Sequence, residues 1–148
     1  MVLRATRPCP MNTTTLAIDY GARRVGIAVS DPMGCIAIGL DTVDNGPDLL
    51  PRIRALVRER GVGRIVVGLP LTLKGEVGDT ATLVLAFVET LRAAVDVPVE
   101  TLDERFTSSI ATQTMKDLGL GKKKRQEKGR VDEIAAILLL QDYLAMHP

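Results

Sequence analysis

The chain has 148 residues, enough for one core, and 46% of them are apolar against 25% charged, which excludes an intrinsically disordered chain. A net charge of +1 excludes a polycation, so any surface for nucleic acid must come from local clustering. Two cysteines (Cys9, Cys35) and one histidine (His147) cannot build a zinc cage, and 3% aromatic residues with no Trp exclude an aromatic platform for stacked bases.

Residues 1–13 read as a flexible tail, with Met11 an alternative start, ahead of a single domain over 14–148. The segment MVLRATRPCPMN lacks a signal peptide's apolar region, and no run reaches transmembrane length. A cytoplasmic chain with reduced thiols and no membrane attachment is expected.

Thr15–Asp19 and Arg24–Ser30 read as strands joined by a turn at Gly21, and Cys35–Val43 as a third strand after Asp31-Pro32. Short links between three successive strands imply an antiparallel meander. Asp48 is placed to cap a helix with Pro51 in its first turn, running to Arg60 before Gly61. Arg64–Gly68 (RIVVG) is apolar throughout, as in a strand buried on both faces. A loop over Leu69–Gly78 leads to a helix from Asp79 or Thr80 to about Val95, then a strand over Val99–Leu102. Thr107 caps a helix to Leu118, Gly119–Arg130 is a basic loop, and Val131–Met146 is the last helix. The order is βββ-α-β-α-β-α-α, an α/β domain in which crossover helices add parallel strands to the meander.

Three acidic spots fall at element ends: Asp19, Asp103-Glu104 and Asp132-Glu133. Each has an ordinary structural reading. Asp19 before Tyr20-Gly21 suits a turn acceptor, Asp103-Glu104 beside Arg105 suits an ion pair, and Asp132 suits a first helical turn. Asp132, however, precedes seven consecutive apolar residues, Ile134–Leu140, and a helix apolar all round is buried. With the first strand central, the last helix can lay its N-terminus against it and bring the three spots together. Three converging carboxylates repel one another, and a hard divalent cation resolves that conflict. Phosphodiester hydrolysis needs such a set, with Mg²⁺ or Mn²⁺ ions about 3.5–4 Å apart.

The segment GKKKRQEKGR carries Lys122, Lys123, Lys124, Arg125, Lys128 and Arg130 and leads into the helix of Asp132. It suits a solvated loop, but its charge density in a nearly neutral chain favours a phosphate backbone held without sequence preference. Arg23 and Arg24 beside Asp19, Arg105, and Lys74 in the loop after RIVVG are further candidate phosphate contacts. Tyr20 reads as packing.

Four stretches, AIDYGARRVGIAVSD, IVVGLPLTLKGEVG, DERFTS and VDEIAAILLLQDYL after a basic loop, resemble the YqgF/RuvX family of the RNase H-like superfamily, over about Leu16 to Leu144. The resemblance implies an RNase H-like fold, a five-stranded mixed sheet of order 3-2-1-4-5 flanked by helices, and a metal-dependent nuclease. It implies Asp19, Glu104 (rather than Asp103) and Asp132 as the metal-holding catalytic acids. Maturation of the 5′ end of precursor 16S rRNA is the leading role. A four-way DNA junction resolvase is the alternative, and it requires a homodimer. The chain departs from the pattern at Thr72, where Asn is common, and at Ala135 and Ala136, where RuvC-like resolvases carry a fourth acid. Adjacent Glu133 points about 100° away from Asp132. The turn Asp19-Tyr20-Gly21 also resembles the phosphate turn of actin-like ATPases, but those need two such domains. A non-catalytic RNA-binding factor keeping the fold is the remaining reading.

Overall fold

Thr14–Tyr20 (β1) has no exposed residue, because it is paired on both edges and covered on both faces. A computed structural model of the chain describes residues 14–72, 74–103 and 128–146. The tail over 1–13, Glu104, Arg105, the helix expected over Thr107–Leu118 and the lysines and arginine of 122–125 lie outside the described residues.

β1 turns into β2 (Arg24–Ser30), which pairs antiparallel with it, Asp19 opposite Gly26. Gly21 is required at that turn, since a Cβ there would collide with the Arg24 carbonyl oxygen. β3 (Ala37–Asp44) pairs antiparallel with β2, so the meander is as expected. It starts at Ala37 rather than Cys35 because the N–H groups of Ile36 and Cys35 donate to Asp31 Oδ1, at 2.8 and 2.7 Å, instead of to a strand. These donors, led by Ile36, hold the Asp31 carboxyl below its ordinary value.

Helix α1 (Leu49–Glu59) buries Leu49, Ile53 and Leu56 at helical spacing. Asp48 does not cap it as expected: its dihedrals are already helical (φ −86°, ψ −8°) and its side chain makes no cap bond. Gly61, at φ +62°, ends the turn that leads into β4 (Val62–Leu69). Helix α2 (Asp79–Ala94) buries Ala81, Val84, Phe87, Val88 and Leu91, and β5 (Val99–Asp103) follows. Helix α3 (Lys128–Met146) begins three residues earlier than the sequence pattern indicates. Lys128 and Arg130 therefore belong to the helix, not to the basic loop.

The sheet order is β3-β2-β1-β4-β5, with β4 parallel to β1 and β5 parallel to β4. Strand alternation splits the core. Leu16, Ile18, Val25, Ile27, Ile65 and Val67 pack with α1 and α2 on one face. Ala17, Ala28 and Val66 meet Ala136, Leu139, Leu140 and Tyr143 of α3 on the other. Each buried Leu or Ile contributes about 1.5–3 kcal/mol from its removal from water.

Candidate active site

Asp19 shares the parity of Ala17, so it stands on the α3 face at the C-terminal end of the central strand. It is half-buried. Its cross-strand partner on β2 is Gly26, and on the β4 side the register (Ile18 opposite Val67) brings Gly68 beside it. Neither neighbour places a side chain against the carboxylate. Glycine inside a strand often marks a close approach of a ligand or another backbone.

β5 separates the strand-end acids. Val99 packs on the α1/α2 face and Leu102 on the α3 face. Asp103 has the parity of Val99, and so stands on the face opposite Asp19. Glu100 and Leu102 stand on the α3 face.

Helix α3 runs antiparallel to β1. Its N-terminal part lies over Gly39 of β3, where Glu133 and Ile137 make contact, and Tyr143 near its C-terminus reaches Arg64 and Glu100 at the start of β4 and on β5. Its first turns thus lie toward the end of β1 that carries Asp19. Buried Ala136 marks the sheet-facing side of the helix. Among the described residues no three His, Cys, Asp or Glu side chains form a group able to hold a metal; Glu104 and the Asp132 side chain are outside them.

The hairpin tip carrying exposed Arg23 is tied to the loop before α1: Asn45 donates its backbone N–H to the Arg23 carbonyl and its Nδ2 to the Gly21 carbonyl, both at 2.8 Å. Arg24 opens β2 half-buried, opposite Asp44. Tyr20 stacks on Phe87 with ring centroids 4.3 Å apart, which is packing as expected. The loop after β4 is organised by Thr72, whose Oγ1 accepts the Glu76 N–H at 3.0 Å and whose carbonyl accepts the Gly75 N–H at 2.8 Å. That arrangement leaves Lys74 exposed at the turn.

The sequence reading missed a polar cluster at the opposite end of the sheet. Arg64 Nη1 donates to the Tyr143 hydroxyl at 2.6 Å, and that hydroxyl donates to Glu100 Oε2. Burial and the Glu100 bond push the Tyr143 hydroxyl up to about 12. The cluster pins α3 to β4 and β5. The available signal was a tyrosine within the apolar face of the last helix, whose hydroxyl must find a partner when buried.

The fold is that of the RNase H-like resolvases. The chain superposes on RuvC of T. thermophilus, solved with a Holliday junction substrate, with a TM-score of 0.55 and 16% identity, over 91% of this chain and 96% of that one. It superposes on the yeast mitochondrial Holliday junction resolvase Ydc2 with a TM-score of 0.52 and 11% identity, over 96% of this chain and 82% of that one. Sequence narrows the class. Residues 13–146 match the family model described as "RuvX: Holliday junction resolvase". A relative from Chloroflexus aurantiacus named "Putative pre-16S rRNA nuclease" is 47% identical, over 87% of this chain and 84% of that protein. One of the same name from Bacteroides fragilis is 48% identical, over 87% and 94%. The chain belongs to the RuvX family of nucleases. No helix among the described residues is long and apolar enough to cross a membrane.

Proposed function

We propose that this chain is a divalent-metal-dependent endonuclease of structured nucleic acid, acting in the cytoplasm on the 5′ region of precursor 16S rRNA. The observation that carries the substrate is the identity of 47% and 48%, over most of both chains, to relatives named for that RNA. The observation that supports the site is Asp19, set at the end of the central strand between Gly26 and Gly68.

A carboxylate at a strand end, with glycine as its neighbour on each adjoining strand, is the oxygen donor a hard cation takes. Asp19, Glu104 and Asp132 would hold it; Asp103 stands on the opposite face of the sheet from Asp19. The chemistry Mg²⁺ or Mn²⁺ supplies when bound is activation of the attacking water and stabilisation of the leaving oxygen. Arg23, Arg24, Lys74, Arg105, Lys122, Lys123, Lys124, Arg125, Lys128 and Arg130 are the cations assigned to the phosphate backbone.

The family description favours a second reading, resolution of four-way DNA junctions by a homodimer. One experiment separates the two. Wild type and Asp19→Asn are incubated with Mn²⁺ or Mg²⁺ and either an RNA spanning the 16S 5′ end or a mobile four-way junction. Cutting of the RNA alone, abolished in Asp19→Asn, is the expected result. Paired symmetric nicks in the junction would establish the resolvase instead. Cleavage by Asp19→Asn at the wild-type rate would overturn the site.

A further inference from the structure

We infer that helix α1 carries a second phosphate-binding face, on the reverse side of the sheet from Asp19, and that it holds a nucleic-acid arm leading away from the scissile bond. This inference rests on nucleic acid being the substrate of the Asp19 site. Between Leu49 and Arg60 the chain carries four arginines against one glutamate, a net charge of +3 in a protein whose total is +1. Arg52, Arg54 and Arg58 are exposed. Among the described residues no carboxylate pairs with any of the three guanidinium groups. Arg54 and Arg58, four residues apart, share the flank toward α2, where they line a cleft of about 220 Å³ with Val57 and the turn Ala94–Val97. Asp96 also lines that cleft, yet no ion pair joins it to either arginine. Arg52 stands on the other flank, beside Thr42 and Val43 of β3. Pro51 and Ala55 form the outer crest between the flanks, with side chains short enough for a phosphate backbone to cross.

Folding does not account for this arrangement. Arg58 lies in the last turn and complements the negative end of the helix dipole. Arg52 does the reverse: it lies in the first turn, at the positive end, and no acid accompanies it there. Arg54 lies mid-helix and faces its like charge at Arg58, which disfavours the helix. A polyanion laid across the outer side relieves both, and the planar guanidinium fork matches phosphate oxygens. α1 begins at the end of the sheet that carries Asp19, since Asn45, four residues ahead of it, holds the Gly21 and Arg23 carbonyls. From there it descends the face of the sheet opposite α3. One nucleic acid meets both faces only if it extends past that end of the sheet, so a short substrate escapes the contact.

The test uses the full chain, without divalent metal so that nothing is cut, and measures binding by fluorescence anisotropy across a salt series. The probes are an RNA spanning the 16S 5′ end and a fragment of it trimmed to the nucleotides flanking the mature end. Wild type is compared with Arg52→Gln/Arg54→Gln/Arg58→Gln, with Arg54→Gln alone and with Lys122→Gln/Lys123→Gln/Lys124→Gln, and folding is followed by circular dichroism and melting. On the long RNA the triple arginine variant is expected to lower the slope of log affinity against log salt by about 2 to 3, and Arg54→Gln by about 1. The single variant carries the test should the triple variant not fold. On the fragment both are expected to match wild type. An unchanged slope on the long RNA would overturn the inference, and a lower slope in the lysine variant would show that the nucleic-acid reading stands without it. Equal losses on the long RNA and the fragment would also overturn it, since the arginines would then serve the cleavage site itself. Failure of wild type to bind either the RNA or a four-way junction would overturn the nuclease reading and this inference with it.

Discussion

The Tyr143 hydroxyl on α3 donates to the Glu100 carboxylate on β5 while accepting from Arg64 on β4. One buried oxygen thus joins the last helix to two parallel strands. Tyr143→Phe leaves Arg64 without that acceptor and is expected to cost about 1 kcal/mol, measured by denaturant unfolding at pH 7. The same variant tests the titration. The folded hydroxyl is raised to about 12 from its ordinary value of 10.0, so its contribution is complete below pH 10 and lost as pH rises toward 12. Stability curves of wild type and Tyr143→Phe should therefore converge between those two pH values.

Asp103 stands on the face of the sheet opposite Asp19. Asp103→Asn is expected to retain metal-dependent cleavage within about threefold, whereas Glu104→Gln is expected to lose about 100-fold or more. The reverse ranking in a cleavage assay would move the strand-end ligand to Asp103.

Among the described residues nothing hydrogen-bonds to Asp142 Oδ2, on α3, and burial raises its carboxyl above the ordinary value. A raised acid favours the folded state below the ordinary carboxylate range and loses that advantage as pH rises through its folded value. Asp142→Asn is expected to stabilise the chain slightly at pH 7, an effect reduced by solvent screening, and by less at pH 3. Thermal melts at the two pH values check this.

Replacing Lys122, Lys123 and Lys124 together by Gln is expected to reduce the salt dependence of nucleic-acid binding. The slope of log affinity against log salt should fall by about 2 to 3 if all three meet phosphates. An unchanged slope would return the segment to ordinary solvated surface.

The elements that carry strong periodicity were legible in advance. β1, β2, β4, α2 and α3 occur where alternation or helical spacing placed them, within one to three residues. Boundaries slipped where side chains compete with the backbone. Asp31 takes the N–H groups of Cys35 and Ile36 and delays β3, while Asp48 leaves α1 uncapped by its side chain. Such choices rest on which donor is nearer in space, and residue spacing does not record that. The cluster of Arg64, Glu100 and Tyr143 escaped notice for the same reason, since its members are separated by up to 79 positions.

By itself, the sequence determined the architecture and the identity of the candidate acids, because hydrophobic period selects helix or strand and carboxylates at apolar element ends demand a partner. Tertiary structure alone decided which of those acids share a face. Asp19 stands on the α3 side of the sheet while Asp103 stands on the other, because a strand reverses direction at every residue.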